Sequence, residues 1–333
     1  MTDFVTRLEW AAASDLVRDA QNIILVTHVR PDGDAIGSLC GLGLALRNRQ
    51  KTATLVVDEG ITPYLSFVPG SQTVLAALPA NPQADLVISL DASDPQRLGI
   101  AGQQAIATGA PVVVVDHHVT NTFFGAAHIV NERYVSTTEA VLRWLDYLGW
   151  RLTPDIAKAL LIGMVTDTIS FRVGPVSGET LHQVARLIAH DINLREVIEK
   201  MLVTLEPGRL EMMGVGLARM VIEAGVAYTY LAEEDFTTRG LTESEKPELA
   251  TEMLRDARVM VAAQFTAAED GLYRVSLRAV PGFAVGPIAL ELGGGGHTQA
   301  AGATLQAKSM EDAIAQVLPK LKAEAARGTP LYS

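Results

Sequence analysis

Acidic and imidazole side chains follow an apolar segment near the start of the chain. The stretch "LVTHVRPDGDAIGS", residues 25–38, places His28, Asp32 and Asp34 on a Pro/Gly turn directly after the apolar run 23–26. Ionisable groups at the mouth of a buried strand cost free energy unless a cation neutralises them. Carboxylate and imidazole are both donors for divalent metal ions, so this turn predicts a metal site.

Residues of the same types recur after two further apolar runs and late in one predicted helix. One run ends at Asp91 in "ISLDASDPQRLG", and "VVVV" is followed by Asp116, His117 and His118. The helical stretch "LLIGMVTDTISF" carries Asp167. Because ligands of open α/β sheets bind outside the carboxyl ends of the strands, we expect these groups to converge on one place.

Each of these features has an ordinary explanation when it is taken alone. A single aspartate after a strand is usually a turn or helix-cap residue, "DGD" is a common turn, and "DHH" could be two surface histidines. Four such features at element ends favour a shared site instead. Carboxylates at this density would repel one another and take up protons unless cations neutralised them. With imidazole and carboxylate but no thiolate, the donor set suits Mn²⁺ and could accept Mg²⁺, Co²⁺ or Zn²⁺.

Alternating strand and helix patterns predict a sheet that is covered on both faces. Strands are predicted at residues 23–27, 53–57, 85–90 and 111–115. Helices are predicted at residues 35–49, 136–148, 154–165 and 178–190. This alternation is typical of a doubly wound, mainly parallel sheet. The helix at 136 opens with "STTE", in which Ser136 and Glu139 have the spacing of a capping box.

A second, smaller set of elements follows a helical, Met-rich connector. Strands are predicted at 226–232, 259–265 and 273–280, helical stretches at 242–255 and 310–325, and a glycine-rich turn at 293–296. The predicted fold class is therefore α/β, with two domains and a cleft between them. The predicted boundaries are 1–189 for a catalytic domain with the metal site, 190–222 for the connector, which "EPG" interrupts, and 223–333 for a substrate-binding α/β domain.

Composition and charge restrict the classes of protein that fit. The 333 residues are 48% apolar and 20% charged, which is enough for two hydrophobic cores. The chain start lacks a signal-peptide pattern and no apolar run is long enough for a membrane helix, so no membrane association is expected. The single cysteine, Cys40, fits a small buried residue in a reducing cytoplasm. The net charge of −11 argues against a stable complex with long nucleic acid.

Five stretches of the sequence carry a resemblance to one enzyme family. In order and spacing, "THVRPDGDAIGS", "LDASDPQRLG", "VDHHVTN" and "GMVTDT" resemble the four motifs of the DHH phosphoesterase family, to which RecJ is related. "LGGGGHTQAAGA", residues 292–303, resembles the signature of that family's DHH-associated C-terminal domain. The two-domain layout is most similar to the branch of nanoRNases that are also phosphatases of 3′-phosphoadenosine-5′-phosphate (pAp).

The resemblance implies a reaction and a cofactor. We expect a Mn²⁺-dependent phosphoesterase that hydrolyses short single-stranded oligonucleotides to nucleoside monophosphates, or pAp to AMP and phosphate. Two divalent ions, with Mg²⁺ or Co²⁺ as alternatives to Mn²⁺, would activate a water for in-line attack on the phosphate. Substrate preference, strand polarity and oligomeric state stay open, a homodimer being one of the states allowed.

The resemblance also implies a role for each site residue. The expected metal ligands are His28, Asp32, Asp34, Asp91, His117 and Asp167. One ion would bind the first two, the other ion would bind Asp34, His117 and Asp167, and Asp91 would bridge both. A histidine that binds a metal through one ring nitrogen still carries an N–H on the other, and Asp116 would accept such a hydrogen bond and so orient the histidines. His118 would face the scissile phosphate.

The C-terminal domain is expected to hold the substrate. Its candidate binding residues are Gly294, Gly295, Gly296, His297 and Arg278, because glycine backbone approaches an anion closely and a guanidinium fork suits phosphate. The sequence departs from the branch at two positions. No Asn follows the Phe171–Arg172 pair before Glu179, and Ala279 stands where the branch commonly has Ser. Both departures concern the choice of substrate rather than hydrolysis.

Other functions remain as alternatives. The chain could be a phosphodiesterase for linear dinucleotides derived from cyclic dinucleotides (the pApA type). An inorganic pyrophosphatase of the same superfamily would close its site with a lysine-rich C-terminal domain rather than "GGGGH". A non-catalytic nucleotide-binding regulator is disfavoured because every candidate ligand is present. A long-strand exonuclease would need a basic groove, which the sequence does not indicate.

Overall fold

The chain divides into two compact units, Met1–Thr204 and Leu205–Ser333. The computed structural model describes residues 5–58, 60–204, 208–241, 246–268 and 271–328. Each unit is built on one β-sheet with helices packed against it, which confirms the predicted two-domain α/β class. Residues 206 and 207 of "EPG" and residues 242–245 of a predicted helical stretch lie outside these ranges.

The first unit contains the predicted parallel sheet. Its strands are β1 Thr6–Leu8, β2 Asn22–Thr27, β3 Thr52–Val56, β4 Val74–Leu75, β5 Leu86–Leu90, β6 Val112–Asp116 and β7 Ala127–Asn131. They lie in the order β1-β7-β6-β5-β2-β3-β4, and only the pair β1–β7 is antiparallel. Strands β1, β4 and β7 are not predicted from the sequence, because they lie at or next to the edges and are short or interrupted by polar residues. Central strands β5 and β6 are apolar except for Ser89 and the terminal Asp116, because both of their faces are buried.

Helices cover both faces of this sheet. They are α1 Trp10–Asp19, α2 Gly33–Asn48, α3 Gly99–Ile106, α4 Thr137–Tyr147, α5 Pro154–Asp167, α6 Gly178–Ile188 and α7 Leu194–Ile198. One core forms between the sheet and α1, α2, α4, α5 and α6, and a smaller one forms on the face of α3. None of the helices in the described ranges is both long and apolar enough to cross a membrane.

Glycines allow α2 and α5 to pack at very short distance. Gly33, Gly37 and Gly41 recur every fourth residue on α2, so they form one face of that helix. A Cβ added at Gly37 would lie 2.6 Å from the Ala159 carbonyl oxygen, and one at Gly33 would lie 2.6 Å from the side chain of Thr166. The start of α2 therefore lies against the end of α5, although Asp34 and Asp167 are far apart in sequence.

The second unit contains a mixed sheet. Its strands are β8 Val221–Glu223, β9 Val226–Leu231, β10 Val261–Ala267, β11 Leu272–Ala279, β12 Gly295–Gly296 and β13 Ala300–Gln306, in the order β12-β13-β11-β10-β9-β8. Only β9 and β10 pair in parallel. The helices are α8 Arg209–Ala218, α9 Glu233–Thr237, α10 Leu249–Met253, α11 Gly286–Glu291 and α12 Met310–Ala325.

The second unit differs from the sequence analysis in several elements. A helix is predicted over 242–255, but among the described residues of this stretch only Leu249–Met253 are helical. The chain leaves the helix after about one and a half helical turns. Helix α11 and strands β8, β12 and β13 were not predicted. The glycine-rich turn at 293–296 proves to lead into a sheet edge, since Gly295 and Gly296 pair with β13.

The glycine contact between α2 and α5 yields a stability prediction. We expect Gly37→Ala to lower the free energy of unfolding by about 1–3 kcal/mol, because the new methyl group meets a backbone oxygen that cannot move aside. Gly178→Ala is the control, since a Cβ there meets nothing within 4 Å. Urea denaturation of both variants is the measurement. An unchanged midpoint for Gly37→Ala would show that the helices are not packed through this residue.

Candidate metal centre

The predicted site residues come from the ends of five elements. His28 follows β2, Asp91 follows β5, and Asp116 is the last residue of β6 with His117 directly behind it. These three strands are neighbours in the parallel sheet, so their carboxyl ends lie side by side. The close packing of α2 on α5 adds the three remaining acidic groups, Asp32 and Asp34 from the start of α2 and Asp167 from the end of α5.

One group of potential ligands consists of His28, Asp32 and Asp91, whose ligand atoms lie within 4.8 Å of one another. The Nδ1 atom of His28 lies 2.9 Å from the carbonyl oxygen of Val29, which favours the tautomer with the hydrogen on Nδ1. Its Nε2 atom lies 3.5 Å from Oδ2 of Asp91. Asp32 caps α2 by accepting two backbone N–H bonds of 3.0 Å, and this cap uses only its Oδ1 atom.

A second group consists of Asp34, His117 and Asp167, again within 4.8 Å. The Nε2 atom of His117 lies 3.4 Å from Oδ2 of Asp167, 3.7 Å from Oδ1 of Asp91 and 4.0 Å from Oδ2 of Asp34. Its Nδ1 atom faces the carbonyl oxygen of Tyr134 at 3.3 Å. Atoms that each bind a cation at about 2.1 Å are separated from one another by about 3–3.5 Å, so this spacing suits a metal ion.

Asp91 lies between the two groups. Its Oδ2 atom is directed to His28 and its Oδ1 atom to His117, as a carboxylate shared by two cations would be. The residue has a positive φ of 58°, and its backbone N–H donates to Val115 of the neighbouring strand. Aspartate tolerates this left-handed conformation at a cost of about 1 kcal/mol. The strand β5 therefore ends next to a residue that lies between the two groups.

Burial and mutual repulsion act on the protonation of these carboxyl groups. Burial and the charges of Asp91 and Asp167 raise the pKa of Asp34 well above its usual range. Burial and the charges of Asp32 and Asp91 do the same for the pKa of Asp167. For Asp91, burial is outweighed by the neighbouring histidines, which hold its pKa well below the usual range. Divalent cations would remove the repulsion, so the donor set and its electrostatics fit metal ions.

Asp116 organises the two histidines that follow it. Its Oδ1 atom accepts the backbone N–H of His117 at 2.8 Å and contacts Nδ1 of His118 at 2.7 Å. Burial disfavours the charged ring, but the charge and hydrogen bond of Asp116 outweigh it and raise the pKa of His118 to about 10. Asn121 donates to Oδ2 of Asp116 at 2.7 Å. Asn121 is not singled out as a site residue from the sequence, although it is the last residue of the motif "VDHHVTN".

The start of α4 also reaches the site. Ser136 caps the helix by accepting the backbone N–H of Glu139 at 3.1 Å, as the capping-box spacing predicts. The reciprocal half of the box is absent here, because the Glu139 carboxylate accepts from the backbone N–H of Val135 instead. The cap directs Thr137 and Thr138 towards the acidic groups, and neither threonine was singled out from the sequence. The signal available there was the position of two hydroxyl residues directly behind a helix cap.

The candidate substrate residues lie in the second unit and have partners within it. Arg278 forms an ion pair with Glu248 at 3.3 Å. The backbone N–H groups of Gly294 and His297 donate to carbonyl oxygens at 2.8 Å, so they are already engaged. A Cβ at Gly294 would lie 2.0 Å from the carbonyl oxygen of Gly302, which means that glycine is needed for the close approach to β13.

Comparisons with known proteins identify the family of both units. The model of the DHH family, N-terminal domain, matches residues 22–164, and that of the DHHA1 domain matches residues 223–323. The chain is similar to the bifunctional oligoribonuclease and PAP phosphatase NrnA of Thermus thermophilus, with 32% identity over 92% of this chain and 90% of that protein.

Two solved structures show the likeness of fold. An exopolyphosphatase-related protein of Bacteroides fragilis has a TM-score of 0.87 and 24% identity, over 95% of this chain and 97% of that chain. The exonuclease RecJ bound to manganese has a TM-score of 0.54 and 14% identity, over 98% of this chain and 96% of that chain. At these identities the likeness concerns the fold alone.

The raised pKa values predict that metal binding depends on pH. A carboxyl group with a raised pKa keeps its proton to higher pH, and a metal ion must displace that proton. We therefore expect Mn²⁺ affinity to be higher at about pH 8 than at about pH 6, with more protons released at the lower pH. Calorimetric titration of the metal-free protein in buffers of different ionisation enthalpy measures both quantities.

Asp146→Asn is the matched control for this titration, because Asp146 is an exposed partner of Arg186. The control should keep the affinity and the proton release of the original chain. Equal affinities at both pH values, with heats independent of the buffer, would contradict the prediction.

Proposed function

Because this chain belongs to the DHH phosphoesterase family, and is therefore a hydrolase of phosphoesters, we propose that its substrates are short single-stranded oligonucleotides and pAp. The products would be nucleoside monophosphates in the first case and AMP with phosphate in the second. The observation that carries this proposal is the pair of ligand groups with Asp91 between them, together with His118, which Asp116 holds beside them. The name of the Thermus thermophilus relative supports the same two substrates.

The proposed cofactor is a pair of divalent cations, with Mn²⁺ as the favoured ion. His28, Asp32 and Asp91 would hold one ion, and Asp34, His117 and Asp167, with Asp91 again, would hold the other. These donors are imidazole and carboxylate without thiolate, which favours manganese over softer metals. When bound, such ions supply Lewis acidity towards the phosphoryl oxygens and the attacking water. The manganese bound by RecJ, a protein of similar fold, is in keeping with this assignment.

His118 is the residue we propose to act on the scissile phosphate. Its Nδ1–H donates to Asp116, and the raised pKa keeps the ring charged at neutral pH. A charged imidazole can donate its second N–H to a phosphoryl oxygen and offset the negative charge that develops there. Asn121 holds the other oxygen of Asp116, so the acceptor that orients His118 cannot rotate.

The second unit would bind the far end of the substrate through Arg278, His297 and the run Gly294–Gly296. A substrate phosphate at Arg278 would replace Glu248, so binding there exchanges one anion for another. The net charge of −11 gives little long-range attraction for phosphate. Binding should therefore depend on local contacts, favour short substrates and respond only weakly to salt. A reducing cytoplasm remains the expected location.

The first test of this function is the variant Asp91→Asn. We expect at least a ~10³-fold loss of kcat with Mn²⁺, because the amide removes the charge that both cations would share. Asp146→Asn on the surface should retain full turnover. The measurement is initial-rate kinetics on pAp, with thermal unfolding as a check of folding. Normal turnover by Asp91→Asn, with both cations bound, would remove Asp91 from the proposed site.

The second test compares substrates side by side in the presence of Mn²⁺. The panel contains pAp, the linear dinucleotide pApA, inorganic pyrophosphate and 5′-labelled oligonucleotides from two to about twenty-four residues. We expect the highest kcat/KM at about two to five residues, acceptance of pAp, and a steep fall for longer strands, because only local contacts bind the substrate.

Each other outcome of the panel identifies an alternative function. Preference for pyrophosphate would indicate a pyrophosphatase, and activity confined to pApA would indicate a linear-dinucleotide phosphodiesterase. Efficiency that rises with length would favour a processive exonuclease. Nucleotide binding without hydrolysis of any substrate would indicate a regulator.

A further inference from the structure

Helix α4 begins against two of the carboxylates that the proposed metal centre needs. The backbone N–H groups of Thr137 and Thr138 donate to Oδ2 and Oδ1 of Asp34, at 2.6 and 2.9 Å. The hydroxyl of Thr138 donates to the same Oδ1 at 2.7 Å, and the hydroxyl of Thr137 donates to Oδ1 of Asp91 at 2.9 Å. All four residues are buried.

We infer that Thr137 and Thr138 are positioning residues that control the two cation sites to different extents. Thr138 acts on Asp34, which belongs to one ligand group. Thr137 acts through its hydroxyl on Asp91, which lies between both groups. Loss of the first hydroxyl should therefore weaken one site, and loss of the second should weaken both. This inference rests on the proposed function, because it presupposes that cations bind there.

The helix start provides these donors for a structural reason. The first N–H groups of any helix have no acceptor within the helix and must find one elsewhere. In α4 the third group donates to Ser136, while the first two donate to Asp34 from the distant helix α2. Both oxygens of Asp34 are thereby fixed, and the positive end of the helix dipole favours its negative charge.

The direction of the hydroxyl hydrogen bonds follows from the donor count. The hydroxyl of Thr138 donates to Oδ1 of Asp34, so its single proton is used in that bond. Ser136 Oγ lies 2.8 Å from Thr138 Oγ1, and it must therefore be the donor in that pair. A chain of hydroxyl donors thus runs from Ser136 through Thr138 to Asp34, and each bond in such a chain polarises the next.

Helix α5 leaves the space that this arrangement needs. A Cβ added at Gly163 would lie 2.3 Å from Cγ2 of Thr138 and 2.5 Å from Oδ1 of Asp34. Glycine at this position leaves the space in which Thr138 and Asp34 contact each other beside α5. The same close packing that brings Asp167 to the site therefore also makes room for the donor to Asp34.

The experiment replaces each hydroxyl by a methyl group of the same shape and then restores it. The variants are Thr137→Val and Thr138→Val, with Thr137→Ser and Thr138→Ser as the rescues. Thr229→Val is the matched control, because Thr229 is a buried threonine of the second unit whose hydroxyl donates to the carbonyl oxygen of Gly216. Calorimetric titration of Mn²⁺ into metal-free full-length protein, without substrate, is the main readout.

We expect Thr138→Val to weaken one of two Mn²⁺ binding events by about 10- to 100-fold and to leave the other unchanged. Thr137→Val should weaken both events by a similar factor. The serine variants should bind Mn²⁺ within about threefold of the original chain, since they retain the donor. Thr229→Val should bind both ions normally.

Two results would overturn the inference. Valine variants that bind two Mn²⁺ ions with the original affinities would show that the hydroxyls do not act on the ligands. Serine variants that lose as much affinity as the valine variants would show that the methyl groups matter instead. If a valine variant fails to fold, the serine rescue and the corresponding alanine variant, each checked by thermal unfolding, provide the same comparison.

The test separates this inference from the proposed function. An original chain that binds no divalent cation overturns both. An original chain that binds two cations and hydrolyses pAp, with unaltered binding in the valine variants, overturns the positioning role alone.

Discussion

The first unit has to offset the repulsion between carboxylates that lie together at the carboxyl ends of β2, β5 and β6. Asp34, Asp91, Asp116 and Asp167 lie in this small volume, and the first three are almost wholly buried. Without compensation such groups would take up protons. The protein compensates in three ways: histidines face Asp91, an asparagine amide holds Asp116, and helix N-termini donate to Asp32 and Asp34. The excess of negative charge that remains is suited to divalent cations.

Close packing between helices makes this concentration of charge possible. Gly33 and Gly37 on α2 and Gly163 on α5 remove the side chains that would hold the helices apart. The ends of α2 and α5 then meet at the edge of the sheet where the strand-end residues already lie. A helix pair separated by ordinary side chains would leave Asp34 and Asp167 too far from His117 to share a cation. The apolar core and the polar site therefore depend on the same glycines.

The two units differ in how their polar groups are used. In the first unit the polar side chains converge on one site and hold one another in place through short hydrogen bonds. In the second unit Arg278 is paired with Glu248, and Gly294 and Gly296 allow the chain to approach β13 closely. The candidate metal ligands thus lie in the first unit, whereas the arginine of the second unit is already paired with a carboxylate. Under the proposed function, a substrate phosphate would have to compete with Glu248 for Arg278, which favours recognition by several local contacts over simple charge attraction.

The α/β class, the central strands and the candidate ligands are predictable from the order of residues alone. Ligands such as His28, Asp91 and His117 stand directly after apolar runs, so local order along the chain was enough to find them. Parallel strands end at the same edge of a sheet, which made their convergence predictable. The helix that carries Asp167 was visible for the same reason, as a continuous apolar pattern.

The groups that support those candidate ligands are identified by the folded arrangement of the chain and not by any local pattern. Thr137 and Thr138 donate hydrogen bonds to Asp91 and Asp34, which are remote in sequence. Asn121 donates to Asp116, five residues before it, and this spacing matches no known helix cap. The partner of Arg278, the edge strand β1 and the strands β7 and β13 next to the edges likewise depend on long-range pairing. A side chain's hydrogen-bond partner is set by where distant segments pack, and no local pattern of polarity records it. The type of a residue and its place after a strand are local properties, whereas its acceptor is a property of the folded chain.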